Sequence, residues 1–354
     1  MVSNKKKKPK EKKGTLALKL AVVLVLVLIL GVGTVIGAGL TVVKNKLDNV
    51  GQVKVDEAAL GIDPQVAQNL KNYRNIALLG IDARDMTKDK GTRSDAIIIA
   101  SINKTTNEVK LISVYRDTYL KIDEQNGFDK ITHAYAYGGA TETLNSLNEN
   151  MDLNIKEVMI VNWKSVADTI DALGGITIDV QDSEISEMNK YIKDTQKNIG
   201  GSKALIKKAG KQTLNGNQAV TYSRIRKDSV EGDYRRNERM KAVLAAAFEK
   251  AKTLDLSKVS SIADKILPEV KTNMAPNQMM GMLLQITSYS ITGSEGWPFN
   301  TEGKMIDGVW YGPPITLKSN VVKLHEKYFK QKGYTPSKKV QDYSEQISAI
   351  TGYY

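Results

Sequence analysis

The sequence predicts an α/β fold: a three-layer helix–sheet–helix domain with a mixed central sheet, preceded by one transmembrane helix. Three observations carry this expectation. Short apolar runs closed by glycine or turn residues read as buried strands. They alternate with amphipathic stretches, the pattern that covers a sheet with helices. A charge-free apolar stretch, residues 20–43, precedes them all.

That stretch can cross a hydrocarbon core of roughly 30 Å at about 1.5 Å per helical residue. Residues 1–19 form a tail ahead of it, with seven lysines between Lys5 and Lys13. By the positive-inside rule the tail is cytoplasmic, and everything after residue 43 lies outside the cell membrane. A cleaved signal peptide is the alternative, since Gly37 and Gly39 are small enough for a cleavage site. The apolar stretch nevertheless exceeds the usual signal core of about 7–15 residues.

Residues 44–72 read as a polar, partly helical juxtamembrane stalk. The core begins at residues 75–80, a buried-strand run ended by Gly80. Residues 95–101, rich in isoleucine, form a second strand; residues 103–107 are turn chemistry, and residues 108–114 form a third. This order points to a hairpin inside a mixed sheet. A helix is predicted from Thr141 to about Asn150, a strand at 158–161, and an amphipathic helix at 163–173 stopped by Gly174 and Gly175. Residues 176–180 make another strand, and 215–224 look helical. Asp233 suits the N-cap of a long helix to about Lys252, with Val243, Leu244, Ala247 and Phe248 on its apolar face. The polar stretch from about Ser183 to Gly210 reads as a surface excursion, and residues 331–354 as a loosely ordered tail.

Composition excludes several function classes. The formal net charge is +12, but residues 1–13 hold seven lysines and one glutamate, and Lys19 adds one more charge. Only +5 remains beyond residue 43, too little for a general nucleic-acid coat, so no nucleic-acid partner is expected. The absence of cysteine rules out a disulfide framework and thiolate metal sites. There is no Gly-rich phosphate loop with its lysine, so an ordinary NTPase is not expected. His133 is the one mid-domain histidine, which leaves the usual Ser-His or Cys-His triads without an obvious base.

Arginine is rationed. All nine arginines lie between Arg74 and Arg239, and lysine supplies every other basic position. Lysine gives bulk charge, whereas guanidinium offers a planar fork that matches phosphate or carboxylate oxygens. Asp82 and Arg84 follow the first strand, Arg93 and Asp95 open the second, and Arg116 and Asp117 follow the third. If the first and third strands are parallel, these three acid–arginine pairs meet at one sheet edge, where open α/β sheets bind ligands. Arg224 and Arg226 leave one helix, and Arg235, Arg236 and Arg239 begin the next, whose N-terminus favours an anion. Taken singly, each pair reads more readily as a structural ion pair or a solvated helix face. Together they point to a site for a multiply charged oxyanion. Asp82 and Asp95 also suit a hard divalent cation such as Mg2+, which prefers carboxylate oxygens and bridges phosphates.

These stretches resemble the LytR-CpsA-Psr family of Gram-positive cell-envelope proteins. The resemblance rests on Leu78-Leu-Gly-Ile-Asp82-Ala-Arg84, Arg93-Ser-Asp95, Ser113-Val-Tyr-Arg116-Asp117-Thr118 and Asp129-Lys130-Ile-Thr-His-Ala-Tyr-Ala-Tyr-Gly138-Gly139. It continues through Ala172-Leu-Gly-Gly175-Ile, Leu214-Asn-Gly216-Asn-Gln-Ala-Val-Thr-Tyr-Ser-Arg224-Ile-Arg226 and Gly232-Asp233-Tyr-Arg-Arg236-Asn-Glu-Arg239. It covers roughly residues 75–250.

The resemblance implies a phosphotransferase that moves a glycopolymer (teichoic acid, capsule or another wall polysaccharide) from undecaprenyl pyrophosphate onto peptidoglycan. It implies an extracytoplasmic catalytic domain over residues 73–330, with membrane lipid as a further partner. Carried over by motif position, Asp82 and Asp95 would hold magnesium. Arg84, Arg93, Arg116, Lys130, Arg224, Arg226 and Arg236 would bind the pyrophosphate, with Arg93 and Arg116 sharing catalysis with the acids. Two positions depart from the family pattern: Tyr115 stands where proline is usual, and Met240 where glutamine is usual. Residues 158–161 and 163–173 could contribute to an apolar groove for the isoprenoid.

Two other classes compete. A membrane-anchored transcriptional regulator would need a cytoplasmic DNA-binding segment, and only the lysine tail precedes the apolar stretch. A non-catalytic wall-polymer-binding module would need the anion site without the magnesium acids, so Asp82 and Asp95 favour the enzyme.

Overall fold

The computed structural model describes residues 45–83, 91–123, 125, 127–225, 267–285 and 288–354, with residues 239, 240, 242, 243, 246, 247, 250 and 264. The lysine tail and the predicted span, residues 1–43, lie outside the described residues. Among the described residues no helix is long and apolar enough to cross a membrane.

Along the chain, β1 (Gly51–Gln52) and the short helix α1 (Pro64–Asn69) precede three long strands: β2 (Tyr73–Ile81), β3 (Ser94–Asn103) and β4 (Glu108–Val114). A hairpin of β5 (Tyr119–Asp123) and β6 (Gly127–Lys130) leads into α2 (Ile131–Met151), β7 (Glu157–Asn162) and α3 (Trp163–Ala172). Then come β8 (Ile176–Val180), α4 (Asp182–Ile199), β9 (Gly210–Leu214) and α5 (Gly216–Arg224). After the undescribed stretch follow β10 (Lys271–Thr272), α6 (Pro276–Leu284) and β11 (Ser290–Trp297). The hairpin β12 (Lys304–Ile306) and β13 (Val309–Tyr311) precedes the last helices, α7 (Leu317–Phe329) and α8 (Lys338–Thr351).

Seven strands form one mixed sheet in the order β1-β10-β7-β2-β3-β4-β11. β3 is antiparallel to both β2 and β4, so β2 and β4 run the same way. β7 joins β2 in parallel and β11 joins β4 in parallel, while β10 lies antiparallel to β7. Side chains of a strand alternate between faces. Ile76 and Leu78 accordingly enter one core with Ile170, Met188, Ala219 and Tyr222, under α3, α4 and α5. Ala77, Leu79 and Ile81 enter the other with Leu144, Leu147, Val321 and Ile347, under α2, α7 and α8. The sheet is buried on both faces, which is why its strands read as continuous apolar runs. Each fully buried leucine or isoleucine contributes about 1.5–3 kcal/mol.

Four expectations change. The stalk is folded into the domain: β1 pairs with β10, and Leu47, Val50, Leu60, Val66 and Leu70 are buried. The surface excursion is mostly α4, which buries Met188, Ile192, Thr195 and Ile199. The loosely ordered tail is α8, whose Val340 and Ile347 join the core beside α2. The helix expected from Thr141 begins ten residues earlier, at Ile131. It kinks at Gly138 and Gly139, and Gly139 has φ of +64°, a conformation that costs a residue with Cβ. Of the helix predicted after Asp233, residues 233–238 lie outside the described residues; Val243 and Ala247 are helical and buried, while Leu244 and Phe248 are not described. The strand at 176–180 forms, but it pairs with β9 outside the main sheet.

Candidate active site

The parallel course of β2 and β4 brings their carboxyl ends to one edge, and antiparallel β3 starts there. Asp82 follows β2, Arg93 and Asp95 flank the first residue of β3, and Arg116 lies two residues past β4. The Asp82 N–H donates to the Arg93 carbonyl at 3.2 Å, tying the two strand ends together. A cleft of about 730 Å³ opens at this edge. Asp82, Arg93, Asp95 and Arg116 line one side, and Arg224, at the end of α5, reaches it from the helical layer. Of the acids and arginines expected to converge, Asp82, Arg93, Asp95, Arg116 and Arg224 line the cleft, Asp117 does not, and Arg84 lies outside the described residues. Asp82 and Arg93 are exposed, whereas Asp95 and Arg116 are half-buried.

Arg116 is held by two carboxylates. Nη1 donates to Asp95 Oδ1 at 2.6 Å, and Nε to Asp117 Oδ2 at 3.3 Å. Such a clamp fixes the plane of the guanidinium before any ligand arrives. Lys130 Nζ lies 3.3 Å from the other Asp117 oxygen and 5.4 Å from the centre of the Tyr311 ring. Lys130 is thus one carboxylate removed from Arg116 and does not itself line the cleft. Arg224 Cζ sits 6.0 Å from the Trp163 ring centre, within cation–π range. Arg84, Arg226, Arg235 and Arg236 lie outside the described residues.

Two further arginines are structural forks. Arg74 grips both oxygens of Glu157 at 2.6 and 2.8 Å. Arg239, grouped in the sequence with Arg235 and Arg236, is 3% exposed and donates to Glu184 at 2.8 Å and to the Ile225 carbonyl at 3.1 Å. Its charge is spent on joining the post-α5 helix to α4.

Beside the cleft, Asp129 accepts from Tyr137 Oη at 2.6 Å, contacts His133 Nδ1 at 2.7 Å and accepts from the Lys130 N–H at 2.7 Å. Burial pushes the Asp129 carboxyl up, but these hydrogen bonds outweigh it and bring the group down to about 2. The bond to Asp129 pushes the Tyr137 phenol up to about 12. His133 thus belongs to a network at the start of α2.

The family departures have local reasons. The Tyr115 N–H donates to the Trp297 carbonyl at 2.9 Å, a bond that proline could not make. Its ring fills the space over Gly296, where a Cβ would stand 2.0 Å from the hydroxyl. Met240 packs against the apolar cluster of Trp163, Ala167, Ile199 and Val220. The residues suggested for an apolar groove divide: Val158 and Ile160 face the α2 side, whereas Trp163 and Ala167 join the Met240 cluster. Gly216 lets α5 meet α3, because a Cβ there would stand 2.2 Å from the Ala167 carbonyl oxygen.

The sequence reading missed the far wall. Tyr191, Asp194, Thr195 and Asn198 of α4 line the cleft opposite the sheet edge. Their signal was present: Met188, Ile192, Thr195 and Ile199 recur at helical spacing, and Gln181 with Glu184 forms a capping box. Among the described residues no group of three or more His, Asp or Glu side chains is arranged as a metal centre. Asp82 and Asp95 offer two carboxylates to the cleft, a donor set that fits a cation sharing its shell with water and ligand oxygens.

Fold and cleft together define an α/β domain with an arginine- and carboxylate-lined cleft at the carboxyl edge of a mixed sheet. Residues 36–327 match the LytR_cpsA_psr family, and the chain belongs to it. It is 29% identical over 257 residues to the polyisoprenyl-teichoic acid–peptidoglycan teichoic acid transferase TagU of Bacillus subtilis, spanning 70% of this chain and 75% of that protein. It is 32% identical over 222 residues to TagT of the same organism, described by the same activity, spanning 62% of this chain and 65% of TagT. The solved structure of TagT bound to LIIa-WTA superposes with a TM-score of 0.53 at 27% identity, covering 80% of this chain and 92% of that one.

Proposed function

We propose that this chain is a phosphotransferase that moves a glycopolymer from a polyprenyl-pyrophosphate carrier, undecaprenyl pyrophosphate, onto a peptidoglycan hydroxyl. The observation that carries this reading is the cleft in which Arg93, Arg116 and Arg224 meet Asp82 and Asp95. The teichoic acid transferases among its relatives support teichoic acid as the polymer class; capsule or another wall polysaccharide would use the same chemistry.

In this reading the acceptor hydroxyl attacks the phosphorus that carries the polymer. The bond from that phosphorus to the bridging oxygen breaks, polyprenyl phosphate leaves with the electron pair, and the hydroxyl proton is released. Phosphoryl transfer depends chiefly on positioning and on neutralising charge over the phosphate oxygens. Arg116, already clamped in its plane, and Arg93 and Arg224 would supply that neutralisation, with Arg84, Arg226 and Arg236 as further phosphate contacts. Lys130 would act through Asp117, setting the pose of Arg116. Asp82 and Asp95 would hold Mg2+, which when bound would neutralise pyrophosphate oxygens. The apolar stretch of residues 20–43 would anchor the domain on the extracytoplasmic side, where membrane lipid and peptidoglycan are both within reach.

The test uses the full-length chain in vesicles with a lipid-linked glycopolymer and a peptidoglycan fragment. Transfer is expected, and Asp82→Ala or Asp95→Ala should reduce it by roughly a hundredfold or more with the fold intact by circular dichroism. Full activity of Asp95→Ala in the presence of a chelator would remove the metal role. A parental chain that binds the pyrophosphate yet transfers nothing would leave the non-catalytic binding module in its place.

A further inference from the structure

The two walls of the cleft differ in chemistry. The sheet-edge wall sets Arg93 and Arg116 beside Asp82 and Asp95, and Arg224 enters from the end of α5. The α4 wall presents a phenol, a carboxylate and an amide: Tyr191, Asp194 and Asn198, spaced three, four and seven residues apart on one helical face. None of the described residues that α4 gives to the cleft is basic. Asp194 is exposed, and among the described residues it has no ion-pair partner. Tyr191 and Asn198 are half-buried, and Lys190 Nζ lies 5.0 Å from the centre of the Tyr191 ring.

A carboxylate facing a pyrophosphate repels it unless a cation lies between them, the role proposed for Asp82 and Asp95, so phosphate binding alone does not account for a further acid on this wall. Hydroxyl groups are a different matter. A carboxylate accepts hydrogen bonds from them, an amide both donates and accepts, and a phenol does both while offering a ring face. We infer that the α4 wall, through Tyr191, Asp194 and Asn198, binds a sugar ring while the arginine wall binds the phosphates. This deepens the proposed function and rests on it. The cleft would then orient its substrate by charge, phosphates toward the sheet edge and hydroxyls toward α4. The sugar belongs either to the polymer end on the donor or to the peptidoglycan acceptor.

The experiment compares Asp194→Ala, Asp194→Asn and Asn198→Ala in the full-length chain. Three readouts are taken: affinity for geranylgeranyl pyrophosphate, affinity for a polyprenyl pyrophosphate bearing one N-acetylhexosamine, and KM for a peptidoglycan fragment. A lost charge-assisted hydrogen bond predicts about a tenfold or greater loss on a sugar-bearing ligand for Asp194→Ala, with Asp194→Asn retaining part of it. Affinity for the sugar-free pyrophosphate should hold. Loss confined to the glycosylated donor assigns the wall to the donor sugar, and a rise confined to the acceptor KM assigns it to the acceptor. Equal loss on the sugar-free and sugar-bearing pyrophosphates, or no change in any readout, overturns the inference. A parental chain that binds neither pyrophosphate overturns the function itself, and this inference with it. Asp194 is exposed, so its variants should fold; unchanged thermal midpoints check this.

Discussion

Arginine is used in this chain for its geometry, but in two different ways. Arg116 is clamped by Asp95 and Asp117 at the mouth of the cleft, with Arg93 and Arg224 beside it. Arg74 and Arg239 are equally rationed, yet Arg74 forks onto Glu157, Arg239 bonds Glu184 and the Ile225 carbonyl, and neither lines the cleft. Sequence spacing pointed to Arg93 and Arg116 because acid–arginine pairs fell at strand ends, and to Arg224 because it closes a helix. It could not separate out Arg239, whose partner Glu184 lies 55 residues earlier in the chain. The distinction predicts different outcomes for one kind of substitution. Arg116→Lys keeps the charge but loses the fork, so pyrophosphate affinity or turnover should fall about tenfold or more. Arg74→Lys should transfer polymer at the parental rate and lose only stability, read as a lower thermal midpoint. Parental transfer by Arg116→Lys would mean that the cleft uses bulk positive charge alone.

Strands and helices were legible where one physical signal dominated. β2, β3 and β4 are buried on both faces, so their apolar runs stand out. α3 and α5 have asparagine caps at Asn162 and Asn215, and the α3 helix stops at glycine. α4 was hidden because its exposed face is rich in lysine, aspartate and glutamine, which masks the apolar stripe beneath. α8 was hidden for the same reason, and β1 because two residues carry no period at all. α4 lines the far side of the cleft, so the candidate site is half visible in the sequence: its charged wall in the motifs, its polar wall in a stretch whose polarity reads as a surface excursion. The Arg239–Glu184 pair pins α4 to the helix that follows α5. Both side chains are nearly fully buried, at 3% and 2% exposed, and Glu184 also accepts from the Gln181 N–H at the start of α4. Glu184→Ala takes the carboxylate from a buried guanidinium, which should cost about 3–5 kcal/mol. Urea unfolding should show a correspondingly lower midpoint; a midpoint at the parental value would mean that the pair does not hold α4 in place.

At the scale of the whole molecule, the register says where the chain enters the domain. Gly51 pairs with Lys271, Lys271 with Ile160, and Ile160 with Leu79, so Gly51 stands level with Leu79, close to the end of β2 that carries Asp82. β1 runs antiparallel to β2, and the residues before it therefore approach from the edge that holds the cleft. Leu47 is already fully buried. Four Cα steps from residue 43 to Leu47 span at most about 14 Å. If residues 20–43 cross the membrane with their lysine flank inside, the cleft is held near the outer surface of the bilayer, beside the headgroup of a lipid-linked donor. A reporter active only in the cytoplasm, fused after Tyr354, should then be silent; strong activity would put the domain on the other side and revive the regulator. The short tether makes a second demand. Inserting about 20 Gly/Ser residues after Val43 lets the domain drift by roughly 25 Å. The fold and the use of a detergent-solubilised donor should be unchanged, while transfer from a donor embedded in vesicles should fall, because the local concentration of donor at the cleft drops as the tether lengthens. Equal transfer by the parental and lengthened chains in vesicles would show that the donor reaches the cleft without help from the anchor, and that the entry edge is a feature of the fold alone.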